Sequence, residues 1–168
     1  MQLLISDINI FIDMEVSELT EKMFQLPYRF AVPDILYAME LEEEHPDLTD
    51  MGLEIKILSS ETVKYAETIV PKYQKASLND LLALALAKQE KCPLVTGDQA
   101  LRKAGTAEAV VILGTIWIVE EMVRHKIIDI SEASRAFEKM KENERRLPWD
   151  VVKIKLCEMQ DNYELPHP

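Results

Sequence analysis

Residues 80–98 read DLLALALAKQEKCPLVTGD, and this stretch indicates the fold class because it places a helix directly before a short strand. Residues 81–87 are all leucine or alanine, which are strong helix formers without a β-branched side chain. Two lysines follow, where cations interact favourably with the carboxyl end of a helix dipole. Residues 93–96, Pro-Leu-Val-Thr, then predict a short strand that ends just before Gly97 and Asp98.

The same alternation of strands and helices extends outward over most of the chain. Besides 93–96, strands are predicted at residues 3–6, 30–32, 53–58 and 110–113. Helices are predicted between them, one beginning at Pro33 and reaching the acidic run 42–44, one capped by Ser60 and one beginning at Ile116. Strands that alternate with helices predict an α/β fold, here a three-layer α/β/α sandwich around a central parallel sheet of about five strands.

The chain shows no internal repeat, low-complexity segment or Gly/Ser linker, and its 168 residues are enough to bury a full core. A single domain over residues 1–168 is therefore predicted, with a disordered tail from about residue 160. No apolar run approaches the ~20 residues that span a bilayer, and no basic region precedes an apolar stretch at the N-terminus. These features predict a soluble, cytoplasmic protein without a membrane partner.

The net charge of -11 is distributed unevenly along the chain. Residues 1–70 contain 15 acidic and four basic side chains, whereas residues 71–168 contain 15 of each. An anionic partner would be repelled by the first part of the chain. A partner with a phosphate backbone is therefore expected to bind to the second part.

Three carboxylates occupy positions that parallel strands and helix starts bring together. Asp7 and Asp98 each follow a short apolar strand, and ligands of open parallel sheets bind beyond the carboxyl ends of the strands. Asp80 lies at a predicted helix start, where free N–H groups favour an ionised carboxylate. Each residue alone is more often a turn or cap residue, but three converging carboxylates repel one another unless a cation lies between them. Hard oxygen ligands select Mg²⁺ or Mn²⁺, so the pattern predicts a divalent metal site.

Four segments, taken in order, resemble the motifs of a known family. Residues 5–13 resemble the opening Asp-x-Asn motif of PIN-domain ribonucleases, and residues 77–80 resemble the third acidic position of that family. Residues 94–98 resemble its fourth acidic position, where the motif is Thr-x-Asp. Residues 114–117 and the helix that follows them resemble the last strand and C-terminal helix of one bacterial and archaeal branch. The resemblance implies a metal-dependent endoribonuclease that cuts single-stranded RNA. Such proteins are often the toxin of a toxin–antitoxin pair, which implies an antitoxin protein as a partner.

The resemblance also assigns roles to individual residues. It implies that Asp7, Asp80 and Asp98 bind the metal ion, Mg²⁺ or Mn²⁺, and that Asn9 and Thr96 orient them through hydrogen bonds. We further expect Arg102 and Lys103 to contact RNA. They follow Asp98 by about one helical turn, in the part of the chain that carries no net charge.

The position of the second family acid differs in this chain. The family places that acid early in the helix after the second strand, around Ala38, and the nearest carboxylate is Glu40. Either Glu40 serves as the fourth catalytic acid, or the site is one acid short. The second alternative predicts a catalytically impaired PIN-like module that binds RNA or a protein partner without cutting.

Two other α/β classes with a strand-end aspartate fit less well. A phosphotransferase of the haloacid dehalogenase type requires a second Asp two residues after the first, and this chain has Asn9 there. A receiver domain requires a paired acidic cluster and a lysine after a late strand, which the chain lacks. The helices over residues 116–137 are more apolar than one sheet requires, which predicts a homodimer interface.

Overall fold

The computed structural model describes residues 1–164, in which five parallel strands form one sheet in the order β3-β2-β1-β4-β5. The strands are β1 (Gln2–Ser6), β2 (Tyr28–Pro33), β3 (Glu54–Lys56), β4 (Leu94–Val95) and β5 (Ile112–Leu113). The helices are α1 (Ile8–Val16), α2 (Thr20–Met23), α3 (Asp34–Leu36), α4 (Leu48–Met51), α5 (Ser60–Ile69), α6 (Leu78–Glu90), α7 (Gln99–Ala107), α8 (Thr115–Arg124), α9 (Ile130–Glu142) and α10 (Trp149–Glu164). A π-helical turn, Tyr37–Leu41, directly follows α3. This parallel sheet with its helices confirms the predicted α/β class.

The chain packs as two compact units. One consists of Met1–Ile10 and Pro27–Gly114 and contains the whole sheet, while the other consists of Phe11–Leu26 and residues 115–164. The single domain predicted for residues 1–168 stays a prediction. Helix α10 continues to Glu164, beyond the point where a disordered tail was predicted to begin, and residues 165–168 lie outside the described part.

Helix α6 forms the centre of the first unit. All seven residues at positions 81–87 are buried, and the helix packs against α5 and against strands β1, β2 and β4. A helix that is apolar on all sides is stable only when it is enclosed, and its Ala and Leu side chains here fill the space over the sheet. A helix that is apolar on every side must be covered by other elements. The run of leucines and alanines therefore indicated correctly that this helix packs against a sheet.

The second unit contains α2 and α8–α10. Helix α9 buries Ala133, Ala136, Phe137 and Met140, which lie at i, i+3, i+4 and i+7, as the helical periodicity predicts. Asp13, which is also buried, accepts hydrogen bonds at 2.6 Å from Nε of Arg145 and from the hydroxyl of Thr115. Its charge is therefore neutralised within this unit. No helix among the described residues is long and apolar enough to cross a membrane.

Several predicted boundaries were wrong by a few residues. Strands predicted at 53–58 and 110–113 are shorter in the structure, at Glu54–Lys56 and Ile112–Leu113. Ser59, not Ser60, caps α5, since its side chain accepts a hydrogen bond from the backbone N–H of Thr62. Strand β3 is at one end of the sheet and is therefore an edge strand, which suits its alternation of charged and apolar residues.

The helical segment after β2 also differs from the prediction. Pro33 is the last residue of β2 and precedes α3 rather than occupying its first turn. The segment changes to a π-helical turn at Tyr37, where the N–H of Glu42 donates to the carbonyl of Tyr37 at 2.8 Å. It ends at Leu41, so the acidic run 42–44 lies outside the helix. A π-helical turn contains one more residue per hydrogen-bonded ring than an α-helix, and it therefore changes the direction of the side chains along it.

Candidate functional site

Asp7 lies at the carboxyl end of β1, next to the end of β4. The two strands are paired in register, Ile5 with Leu94 and Ser6 with Val95, and the N–H of Asp7 donates to the carbonyl of Val95 at 3.1 Å. The Asp7 side chain is completely buried. Its Oδ1 accepts a hydrogen bond at 3.2 Å from the N–H of Ile10, in the first turn of α1, so one carboxylate oxygen is held against a helix N-terminus.

Thr96 connects Asp7 to the segment that carries Asp98. Its hydroxyl donates a hydrogen bond to Oδ2 of Asp7 and accepts one from the N–H of Asp98 at 3.1 Å. The amide of Asn9 lies 3.5 Å from the same Oδ2. The structure thus brings Asn9 and Thr96 to the carboxylate that they were expected to orient.

Asp80 is the third residue of α6 and not its cap. Ser77 is the cap, since its hydroxyl accepts the N–H of Asp80 at 3.1 Å. In return Oδ2 of Asp80 accepts the N–H of Ser77 at 3.2 Å, which completes a capping box. The expectation that Asp80 lies at a helix start is therefore correct, whereas the capping role belongs to Ser77. The capping box holds the Asp80 side chain in one position at the start of α6.

Asp98 caps helix α7 at the end of the segment that follows β4. Its Oδ1 accepts a hydrogen bond from the N–H of Leu101 at 2.8 Å, and its side chain is half-buried. Cap residues of this kind stabilise a helix by about 1 kcal/mol. A structural role and a chemical role are compatible here, because the cap occupies one carboxylate oxygen and the second remains available.

Glu40 lies in the π-helical turn and contacts the residue next to Asp80. Its Oε1 accepts a hydrogen bond from Nδ2 of Asn79 at 2.8 Å. Ala38, by contrast, is exposed. The wider turn therefore holds Glu40 toward the start of α6, although sequence spacing alone places it about half a turn from Ala38. Sequence reasoning did not identify Asn79 as the partner of Glu40, although its position beside Asp80 was a signal.

The carboxylates influence one another electrostatically. Burial raises the pKa of Asp7 to about 6, hydrogen bonds from Thr96, Ile10 and Asn9 oppose this increase, and the charge of Asp80 adds to it. Burial is also the main reason that the pKa of Asp80 is raised, and the charges of Asp98 and Glu40 raise it further. Asp7, Glu40, Asp80 and Asp98 therefore form a cluster of like charges, which we call the carboxylate cluster.

The carboxylate oxygens of the cluster are suitable ligands for a hard cation, but they do not form a complete metal site by themselves. Among the described residues, no three His, Cys, Asp or Glu side chains are grouped closely enough to hold a metal ion. Mg²⁺ usually keeps several water ligands and is bound by one or two carboxylates, so it does not require such an enclosure. Burial is the main cause of the two raised pKa values, and a cation at the cluster would offset the repulsion that adds to it, so the donor set fits Mg²⁺ or Mn²⁺.

Arg102 and Lys103 have different environments. Arg102 is half-buried, and its Nη1 donates to the backbone carbonyl of Thr96 at 2.9 Å. A Cβ atom at Gly114 would lie only 2.8 Å from that nitrogen, so the absence of a side chain there leaves room for the guanidinium. Lys103, by contrast, is exposed.

Comparisons with known proteins agree with this fold. The family DUF3368, described as a PIN domain, matches residues 3–160. A PilT N-terminus domain protein from the hyperthermophilic archaeon Sulfolobus solfataricus P2 has a similar structure. The TM-score is 0.51 at 12% sequence identity, over 73% of this chain and 92% of that protein. No curated protein matches the chain. The chain belongs to the PIN-domain family, whose members are generally nucleases that depend on a divalent metal.

Proposed function

We propose that this protein is a metal-dependent endoribonuclease that hydrolyses phosphodiester bonds of single-stranded RNA. The observation that carries the proposal is the carboxylate cluster, in which a completely buried Asp7 at a strand end is coupled electrostatically to Asp80, and Asp80 to Asp98 and Glu40. Protein interiors rarely contain adjacent unpaired carboxylates unless these groups have a function.

The residues of the cluster have separate tasks in this proposal. Asp7, Asp80 and Asp98 would hold Mg²⁺ or Mn²⁺, directly or through its water ligands, and Glu40 would supply the additional acid. Thr96 and Asn9 keep the Asp7 carboxylate in a fixed orientation through their hydrogen bonds. A metal ion held there would polarise a phosphoryl oxygen and lower the pKa of a water molecule.

RNA is proposed to approach over the part of the chain after residue 71. That part has no net charge, whereas residues 1–70 carry all the excess negative charge. Lys103 is exposed one turn beyond Asp98 and is the candidate phosphate contact. Arg102 shares this proposed role, but its hydrogen bond to the Thr96 carbonyl means that it also supports the segment between β4 and α7.

A role as the toxin of a toxin–antitoxin pair, with an antitoxin protein as partner, is part of the proposal. The toxin role rests on the family resemblance. A cytoplasmic location is proposed from the composition of the chain, and a homodimer is proposed from the apolar content of residues 116–137. A gene for a small DNA-binding protein beside the gene of this protein would support the pairing.

Millimolar Mn²⁺ or Mg²⁺ is expected to raise the melting temperature of the protein and to start RNA cleavage. A ligand that binds only the folded state stabilises it by about 4 kcal/mol when its concentration is a thousand times the dissociation constant. For a chain of this length, each kcal/mol corresponds to roughly 2–4 °C. Thermal melts and cleavage of a labelled single-stranded RNA, each with and without ten millimolar metal, test this expectation. An unchanged melting curve together with intact RNA would contradict the proposal.

The alternative is a PIN-like module that binds RNA or a protein without cutting. The exposed Ala38 at the position of the family acid favours it, as does the lack of a closed three-ligand group among the described residues. The hydrogen bond between Glu40 and Asn79 favours the nuclease, because it keeps the Glu40 carboxylate where its charge acts on Asp80.

Glu40→Gln is expected to lower the cleavage rate at least tenfold, which corresponds to about 1.4 kcal/mol of transition-state stabilisation. Glutamine keeps an oxygen that can accept the Asn79 hydrogen bond, so the change removes only the charge. Glu43→Gln, in the exposed acidic run, is the matched control. If Ala38→Glu instead creates activity in an otherwise silent protein, the alternative describes the native chain.

A further inference from the structure

A pocket of about 410 Å³ opens beside the carboxylate cluster in the first unit. It lies between three helical segments: α3 with its π-helical turn, α5 and α6. Ile35, Met39 and Leu78 contribute apolar walls, and these three side chains are exposed at 39%, 71% and 53%. Such a grouping of exposed apolar side chains next to charged groups is typical of a binding surface.

The pocket and the carboxylate cluster share Glu40. Glu40 and Asn79, joined by their 2.8 Å hydrogen bond, line the pocket, and Asn79 immediately precedes Asp80 in α6. Met39 immediately precedes Glu40. When one group of a molecule is bound at the carboxylate cluster, the adjacent parts of the same molecule therefore lie at the opening of this pocket.

We propose that the pocket receives the nucleobase next to the phosphate that is cut, and this inference rests on the proposed function. A base has two apolar faces and a polar edge, which match walls of Ile35, Met39 and Leu78 with a few polar groups between them. The polarisable, flexible side chain of methionine adapts well to a flat ring. The carboxylates of Glu40 and Glu67 also line the pocket and repel a phosphate. The pocket therefore receives the base rather than the sugar-phosphate backbone of the RNA.

Glu67 also determines which bases fit. This exposed residue of α5 contributes an acceptor to the pocket wall, and Asn79 adds an amide. A carboxylate accepts hydrogen bonds from the amino group of adenine, cytosine or guanine. Uracil has a single ring N–H between two carbonyl oxygens, and a carboxylate repels those oxygens. The pocket is therefore selective for bases that carry an amino group.

The first test uses uncharged nucleosides, because the carboxylate cluster does not repel them. The protein is labelled with ¹³C at the methionine methyl groups, and the Met39 signal is assigned with Met39→Leu. Adenosine and cytidine at millimolar concentration are expected to shift the Met39 signal and to bind at least about fivefold more tightly than uridine. A Met39 signal that no nucleoside moves would overturn the inference and would favour an apolar side chain of a partner protein as the occupant.

The second test uses variants that leave the carboxylate cluster intact. Glu67→Gln is expected to reduce the preference for cytidine over uridine about fivefold, and Leu78→Asp to weaken all nucleosides. Glu61→Gln, an exposed residue of the same helix outside the pocket, is the control and should change neither. An unchanged preference in Glu67→Gln would contradict the assigned selectivity.

These measurements separate the inference from the proposed function. Nucleoside binding at Met39 in a protein that never cuts RNA would support the pocket and contradict the nuclease. RNA cleavage without nucleoside binding at Met39 would support the nuclease and contradict the pocket. If the protein both cuts RNA and binds nucleosides at Met39, cleavage sites mapped on a random-sequence RNA should show a base with an amino group at one fixed position. Glu67→Gln should weaken that preference.

Discussion

Asp7→Asn is expected to lower metal-dependent RNA cleavage by about a hundredfold to a thousandfold, the scale on which a single electrostatic group contributes to a transition state. The substitution removes a charge but keeps the shape of the side chain. An asparagine oxygen can still accept the N–H of Ile10, and its amide can face the Thr96 hydroxyl. Cleavage rates in the presence of Mn²⁺ and unfolding by urea in the presence of EDTA measure the two effects separately.

The same variant without metal is expected to be at least as stable as the wild type at pH 7.5. Asp7 is ionised there, and burial and the neighbouring Asp80 both disfavour its charge. Asp50→Asn, at an exposed position of α4, is the control and should change neither cleavage nor stability. A loss of several kcal/mol in metal-free Asp7→Asn would instead identify Asp7 as a structural residue.

The metal-free protein is expected to become more stable as the pH falls from 7.5 to 5. The pKa of Asp7 is about 6 in the folded chain and about 3.8 in the unfolded chain, so between these values the folded state binds more protons and stability rises as pH falls. Asp7 alone contributes about 1.4 kcal/mol at pH 5 relative to pH 7.5. The raised pKa of Asp80 acts in the same direction. Urea unfolding at several pH values measures the trend.

The trend is expected to reverse at lower pH. Glu54, paired with Arg29, and Glu132, at the start of α9, have lowered pKa values, and their contributions are lost as the pH falls below about 4.5. The window from pH 5 to 7.5 therefore lies above the titration of these two groups. Asp7→Asn should flatten the curve in that window, and so should ten millimolar Mg²⁺, because a cation favours the ionised carboxylates. A wild-type curve that decreases steadily below pH 7 would contradict the assignment.

Local sequence patterns were sufficient for the five strands, for the helices at residues 60–69 and 78–90, and for the strand-end or helix-start positions of Asp7, Asp80 and Asp98. The Leu/Ala run of residues 81–87 indicated a fully enclosed helix, and the strands before Asp7 and Asp98 indicated where the sheet ends. These features depend on helix propensity, on side-chain alternation and on the common edge of parallel strands, which neighbouring residues determine. The family that the order of acidic positions indicated is also the family whose description fits the match over residues 3–160.

What the sequence alone determined about this protein is its α/β class, its strand-end aspartates and its family. Only the tertiary structure decided that the π-helical turn holds Glu40 against Asn79, and that Arg102 donates to the carbonyl of Thr96. Only the tertiary structure also decided that burial raises the pKa of Asp7. The physical reason is that each of these depends on how segments are placed in space: Glu40 and Asn79 are 39 residues apart, and Arg102 reaches back from α7 to the end of β4. Hydrogen-bond partners and local desolvation arise when separate segments pack together, and no window of neighbouring residues contains that information.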